Sequence, residues 1–217
     1  MTNTNTSSKT RKLVTLSLLT AITFILGLTP VGYIRINPAM TITLLCIPVI
    51  IGTITEGLRA GLFLGGVFGL TSLIQVFMGD PLGLMLMNIS PVRTVAMIFI
   101  PRLIVPAMAY LSHMLFQKSS KFIVNKSSYV VTALVGSLSN TFFFLGFLYL
   151  LFIPEMAEVA AGFGTTAEKF MGVLGAIVVS NGIPEAIAAA IIVPLILIPL
   201  DITLNKTRKE TVDDSNI

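Results

Sequence analysis

Apolar residues in this chain come in long unbroken runs. They do not follow the two-residue spacing of a half-buried strand or the three-to-four-residue spacing of a surface helix. The runs cover 12–28, 40–55, 60–77, 92–116, 129–152 and 171–200. A helix needs about 20 apolar residues to cross the hydrocarbon core of a bilayer, so the pattern predicts six transmembrane helices in an all-α integral membrane protein with one domain. The second run is the shortest. At about 1.5 Å per residue it reaches some 24 Å, which calls for shielding by protein or an extension into Asn37 and Pro38. The polar start MTNTNTSSKT reads as a disordered tail. The predicted organisation is a tail at 1–11, a six-helix membrane domain at 12–204 and a second tail at 205–217. A signal peptide is the rival reading of the first run, because Lys9, Arg11 and Lys12 precede it. No small-residue cleavage site follows, however, and five more runs do.

Composition agrees. Of the 217 residues, 54% are hydrophobic and 11% charged, with a mean hydropathy of +0.93, against about 25% charged residues in soluble domains. The runs leave no room for an appended catalytic domain, and there is no GxxxxGK[ST] loop to cradle ATP phosphates. One cysteine, Cys46, and one histidine, His113, exclude a disulfide framework, a thiolate or imidazole zinc site and bis-histidine haem ligation, so no metal or cofactor is expected. The net charge of +4 is not a nucleic-acid footprint, because the basic residues sit at the ends of apolar runs. They also set orientation. If the N-terminus is inside, the inner side holds Lys9, Arg11, Lys12, Arg59, Lys118, Lys121, Lys126, Lys206, Arg208 and Lys209, and the outer side holds only Arg35, Arg93 and Lys169. This asymmetry puts both termini in the cytoplasm.

The informative residues are the polar ones within the runs, since each needs a partner, a water or a ligand. Arg102 stands about 15 Å along the fourth helix, near the midplane, where inserting an arginine costs about 2.5 to 3.5 kcal/mol. Asn181 and Glu185, four residues apart on the sixth helix, and Asn140 on the fifth fall at the same depth. Two readings stand. One is an internal Arg102–Glu185 ion pair braced by the asparagines. The other is a polar pocket open to the outside, covered by loops bearing Arg35 (in 29–39) and Asn88 (in 78–91). The loop at 154–170 could hold a short interfacial helix, and Pro101 and Pro184 would shape the pocket. An arginine with two asparagines suits a small anion bearing amide and hydroxyl groups, and the scarcity of aromatics at this depth argues against a flavin or pterin. His113 reads as interfacial and Cys46 as a packing residue. Gly61, Gly65 and Gly69 form a small-residue face for internal packing, and Ser17 and Ala21 form another.

An intramembrane enzyme is not indicated. Gly136-Ser137-Leu138-Ser139 is no nucleophile elbow, and HExxH is missing. The two three-span halves show no convincing internal similarity, which weighs against an autonomous secondary transporter, kept as an alternative.

Across nearly the whole chain, the segments LGLTPVGYIRI, IPVIIGTITEGLRAGLFLGGVFGL, PRLIVPAMAY, SNTFFFLGFLYL and NGIPEAI resemble the substrate-binding S component of an energy-coupling factor (ECF) vitamin transporter, with most similarity to pantothenate-type members. The resemblance implies a six-helix protein that binds a vitamin at its outer face. Its partners would be one transmembrane coupling protein and two ATP-binding subunits, with release inside after the S component topples in the membrane. An S component for another vitamin or precursor is the neighbouring alternative. In that family a small-xxx-small face on the first helix docks to the coupling protein. Ser17 and Ala21 occupy it here in place of the more usual paired alanines.

Overall fold

A computed structural model of the protein describes the backbone of residues 3–37, 40–117 and 122–213, and the side chains of 9–33, 43–116 and 127–201. Helix α1 (Asn3–Leu28) leads into a hairpin of β1 (Tyr33–Asn37) and β2 (Met40–Thr43), followed by α2 (Cys46–Glu56), α3 (Leu58–Phe77) and the short α4 (Pro81–Ile89). Next come α5 (Pro91–Gln117), α6 (Phe122–Leu151) and α7 (Met156–Gly162). A 3₁₀ turn (Ala167–Lys169), α8 (Phe170–Ile177), a π-turn (Val178–Gly182) and α9 (Ile183–Asp213) complete the described residues. Among the described residues, five segments are long and apolar enough to cross a membrane: Lys9–Leu28, Leu58–Phe77, Pro91–Phe116, Ser127–Leu151 and Ala167–Asp201.

The second predicted span is where sequence and structure part. Its first residues, Met40–Thr43, form a strand, and the helix begins only at Cys46. The reason is local: Pro30 and Gly32 end helical continuity, and Ile34, Ile36, Thr41, Ile42 and Thr43 are β-branched residues that favour strands. The strands pair antiparallel, with Tyr33 opposite Thr43 and Arg35 opposite Thr41. Among the described residues the fold is helical, as expected, apart from this one short hairpin. Helix α2 keeps 11 residues, about 16 Å at the usual rise. Every residue from Cys46 to Thr53 is buried, so protein surrounds this short helix. Helix also reaches into both segments read as tails, from Asn3 and as far as Asp213, because a nucleated helix propagates into its flanks one hydrogen bond at a time.

The glycine face of α3 decides how closely α5 approaches. A Cβ on Gly65 would lie 2.5 Å from the Arg102 carbonyl oxygen, one on Gly69 would lie 2.7 Å from the Phe99 ring, and Gly61 faces Pro106. Rising numbers on α3 meet falling numbers on α5, so the two helices run antiparallel. Ser17 and Ala21, by contrast, are exposed on α1. Two apolar cores result. One surrounds α2, with Leu45, Ile50, Leu64, Phe68, Val105 and Val193. The other joins the start of α5 and the end of α6 to α4, α7 and α8 through Leu86, Met97, Leu148, Phe152, Val159 and Phe170.

Candidate ligand-binding site

A cavity of about 160 Å³ lies between these cores, walled by the hairpin, α3, α4, α5, α6 and the π-turn with α9. Arg102 enters it from α5 and is 8% exposed. Its guanidinium carbon lies over two rings, with the Phe144 centroid at 4.7 Å and the Phe68 centroid at 5.2 Å. Cation–π contacts of this kind contribute about 2 kcal/mol when desolvated. Nε and Nη1 are buried and donate to no described residue. A planar guanidinium fork matches the two oxygens of a carboxylate.

Opposite stand the polar groups of α6 and α9. Asn140 and Asn181 both line the cavity, and the Oδ1 atom of each is buried without a hydrogen-bond partner among the described residues. Asn181 belongs to the π-turn, a wide turn closed by i→i+5 bonds that recurs at functional sites. Glu185 follows in the first turn of α9, and its Oε1 accepts the Thr43 backbone N–H at 2.6 Å. At the other end of the same cross-strand rung, the Tyr33 hydroxyl meets Ser72 Oγ of α3 at 3.1 Å. Burial pushes the Tyr33 phenol up, so it stays a neutral hydroxyl. The hairpin is thereby fastened to α3 on one side and α9 on the other. Met97, Ile98, Leu145, Leu148 and Phe163 supply the apolar half of the wall.

The structure thus brings Arg102, Asn140, Asn181 and Glu185 to one cavity, as their depths suggested. Arg102 and Glu185 are not an ion pair; the pair formed among the described residues is Arg93–Glu155. The Arg35 side chain lies outside the described residues, although its backbone is in β1. Asn88 is exposed on α4 and is not part of the described lining. The expectation of a short helix in the 154–170 loop is met by α7. His113, read as interfacial, is instead buried and stacked on Tyr129 at 5.8 Å, because α6 and α9 close over it and the Tyr129 hydroxyl is tied to Asp201. The two aromatic clamps were not anticipated. Phe144 lies one helical turn beyond Asn140, a spacing that puts both on one face, and Phe68 is embedded in the glycine stripe.

A second anchor lies at the start of α5. Arg93 donates to both Glu155 carboxylate oxygens at 2.8 and 2.9 Å and to the Leu151 carbonyl at 2.9 Å. These hydrogen bonds from Arg93 hold the Glu155 carboxyl below its ordinary range. The bridge fixes the start of α5 to the connection between α6 and α7.

Residues 11–197 match the family described as ECF transporter, substrate-specific component. The chain belongs to this family. It is also 30% identical over 165 residues to the pantothenic acid transporter PanT of Lactococcus lactis subsp. cremoris (strain MG1363), an alignment covering 71% of this chain and 75% of that protein. Membership of the ECF substrate-specific components makes it a multi-pass transport protein of the cell membrane, and both family and relative are transporters rather than enzymes.

Proposed function

We propose that this ECF component captures pantothenate from outside the cell and delivers it through a coupling protein driven by two ATP-binding subunits. The observation that carries the reading is the buried Arg102 guanidinium, which lies over two phenylalanine rings in the wall of a cavity that Asn140 and Asn181 also line. Pantothenate offers the matching set: one carboxylate for the fork, and an amide and hydroxyls for the asparagines. The name of the relative agrees with that choice. Asn88 on α4 and Arg35 on β1 belong to the segments that would cover the opening, with Arg35 closing from the hairpin.

Coupling to a partner follows from what the chain has on its own. It carries no phosphate-binding loop, so it binds substrate without powering uptake. Ser17 and Ala21, exposed on α1 away from the cavity, are proposed as the docking face. The purified chain in liposomes is expected to bind pantothenate and not to accumulate it. In cells, Ala21→Leu should reduce uptake while leaving binding unchanged. Concentrative uptake by the chain alone would overturn the coupling, and absence of pantothenate binding in calorimetry would overturn the substrate.

The membrane topology we infer has six segments with both termini in the cytoplasm, α2 counting as the sixth because protein shields it on every side. A cysteine-free chain given a single cysteine at position 120 or 164 checks this in intact cells. An impermeant thiol reagent is expected to modify position 164 and spare position 120; the reverse pattern would refute the orientation.

A further inference from the structure

The two helices that flank the cavity set its scale. Arg93 of α5 donates to the Leu151 carbonyl of α6, and His113 of α5 stacks on Tyr129 of α6. Rising numbers on one helix meet falling numbers on the other, which puts Arg102 level with Asn140 and Thr141. Toward the start of α5 this side of the lining becomes apolar, with Met97 on α5 and Leu145 and Leu148 on α6. Gln75 and Asp80 also line the cavity but belong to the α3–α4 side. There Gln75 Nε2 donates to the Gly27 carbonyl at 2.9 Å, and Asp80 Oδ2 accepts the Gly83 N–H at 2.8 Å.

One aromatic ring joins this apolar end from outside the long helices: Phe163, the residue that caps the end of α7. Its backbone is fixed by a Schellman motif. The Gly164 N–H donates to the Ala161 carbonyl at 2.9 Å and the Thr165 N–H to the Ala160 carbonyl at 3.0 Å, with Gly164 at φ 70°, the left-handed conformation that such a cap requires. The Phe163 ring packs edge-on against the buried Phe170, with centroids 5.5 Å apart. Helix α7 itself is held on both sides. Glu155, just before it, is bridged to Arg93, and Gly162 lies so close to α4 that a Cβ there would collide with the Met85 sulfur. A ring on so constrained a support is a preorganised wall of fixed size.

The spacing matches the proposed ligand. In pantothenate six bonds separate the carboxylate carbon from the carbon that bears two methyl groups, about 7 Å when extended, the reach of two backbone residues. Met97 precedes Arg102 by five residues, about 7.5 Å along α5. With the carboxylate at Arg102, the methyl-bearing carbon falls at the apolar end. Building on the pantothenate reading, we propose that Phe163 is a specificity-determining residue, which sets the size of the hydrocarbon branch accepted at the end of the ligand remote from its carboxylate. The substrate class is a monocarboxylate with a compact apolar branch about six bonds away. A ligand without the branch leaves the ring and its neighbours short of contacts, and a bulkier branch meets a ring that cannot retreat.

Calorimetry on the full chain in detergent tests this on wild type, Phe163→Ala and Phe163→Leu. The probes are pantothenate, its analogue lacking the two methyls, and its analogue with both methyls enlarged to ethyls. A second pair is two N-acyl-β-alanines without hydroxyls, whose acyl chain carries three methyls or one at the corresponding carbon. Wild type is expected to bind pantothenate about tenfold or more tightly than either analogue. In Phe163→Ala the ethyl analogue should gain at least about tenfold relative to pantothenate, with Phe163→Leu between the two. Lost stability alone would weaken all three ligands alike, so the ratio isolates the ring's role. If Phe163→Ala does not fold, Phe163→Leu, which keeps an apolar side chain against Phe170, decides. The proposal is refuted if wild type binds the three ligands within about twofold of one another, or if the folded variants keep the wild-type ratios. Should pantothenate fail to bind while the branched short acid outcompetes its plain partner, by a margin that shrinks in Phe163→Leu, the pantothenate reading falls and the role of Phe163 stands. If pantothenate fails and the short pair shows no such difference, both fall.

Discussion

Arg102→Ala is expected to weaken pantothenate binding between about tenfold and about 150-fold, the range that corresponds to losing a charge-assisted contact of roughly 1.5 to 3 kcal/mol. The expectation rests on where the side chain is held. The guanidinium carbon lies over the Phe68 and Phe144 rings, and no described residue accepts from Nε or Nη1. Leaving buried donors unsatisfied destabilises the ligand-free protein, and an arriving carboxylate relieves that. Lysine keeps the charge but lacks the planar fork and the ring-stacking surface, so Arg102→Lys should recover only part of the loss. The amide of pantothenate supplies the control: wild type should bind it more weakly than the acid, while the alanine variant should hardly distinguish the two. An internal ion pair with Glu185 would give the opposite result. Binding of the acid would survive in Arg102→Ala, and stability would drop by about 3 to 5 kcal/mol because Glu185 would be stranded.

Gly65→Ala should produce a comparable loss without touching any ligand-facing group. The added methyl would lie 2.5 Å from the Arg102 carbonyl oxygen and 3.4 Å from the Pro106 side chain. Backbone cannot swing aside as a flexible side chain can, so α5 must retreat from α3. Overpacking of this kind costs about 1 to 3 kcal/mol. The retreat moves the very residue that seats the anion. A lower thermal midpoint in detergent together with binding weakened by about tenfold or more is the expected outcome. Gly66→Ala is the internal control, because nothing lies within 4 Å of a Cβ there, and it should leave both quantities near wild type. If the two substitutions behave alike, close approach of α3 and α5 is not what positions Arg102.

The level of Arg102, Asn140, Asn181 and Glu185 was legible because depth in a long helix follows from residue count at a fixed rise, and antiparallel spans return polar residues to the same height. The stripe Gly61, Gly65, Gly69 was legible for a similar reason: four-residue spacing defines a face. The hairpin was hidden because Met40–Thr43 is apolar enough to be absorbed into the following helix when only hydropathy is read. Its pairing with Tyr33–Asn37 is visible only when the β-branched residues on both sides of Pro38 are read together. The partner of Glu185 was hidden for a different cause, since the Thr43 N–H that it accepts lies 142 residues away in sequence. The aromatic clamps show another limit. The chain has 14 phenylalanines, and nothing in their spacing alone separates the two that face a guanidinium from those that face lipid.

The π-turn at Val178–Gly182 divides one membrane-crossing segment into two halves that are out of phase. On one side of it, Glu185 lines the cavity; on the other, Phe170, Leu174 and Ile177 are buried in the second core. Its i→i+5 bonds take up one residue more than an α-turn does. Were the same residues wound as ordinary α-helix with none removed, the half that precedes the turn would rotate by about 100° around the axis, one residue's worth at 3.6 residues per turn. Phe170, Leu174 and Ile177 would swing away from their neighbours while Glu185 stayed in place. In this stretch the wide turn, more than the hydrophobicity of any one residue, keeps each half facing its own partners.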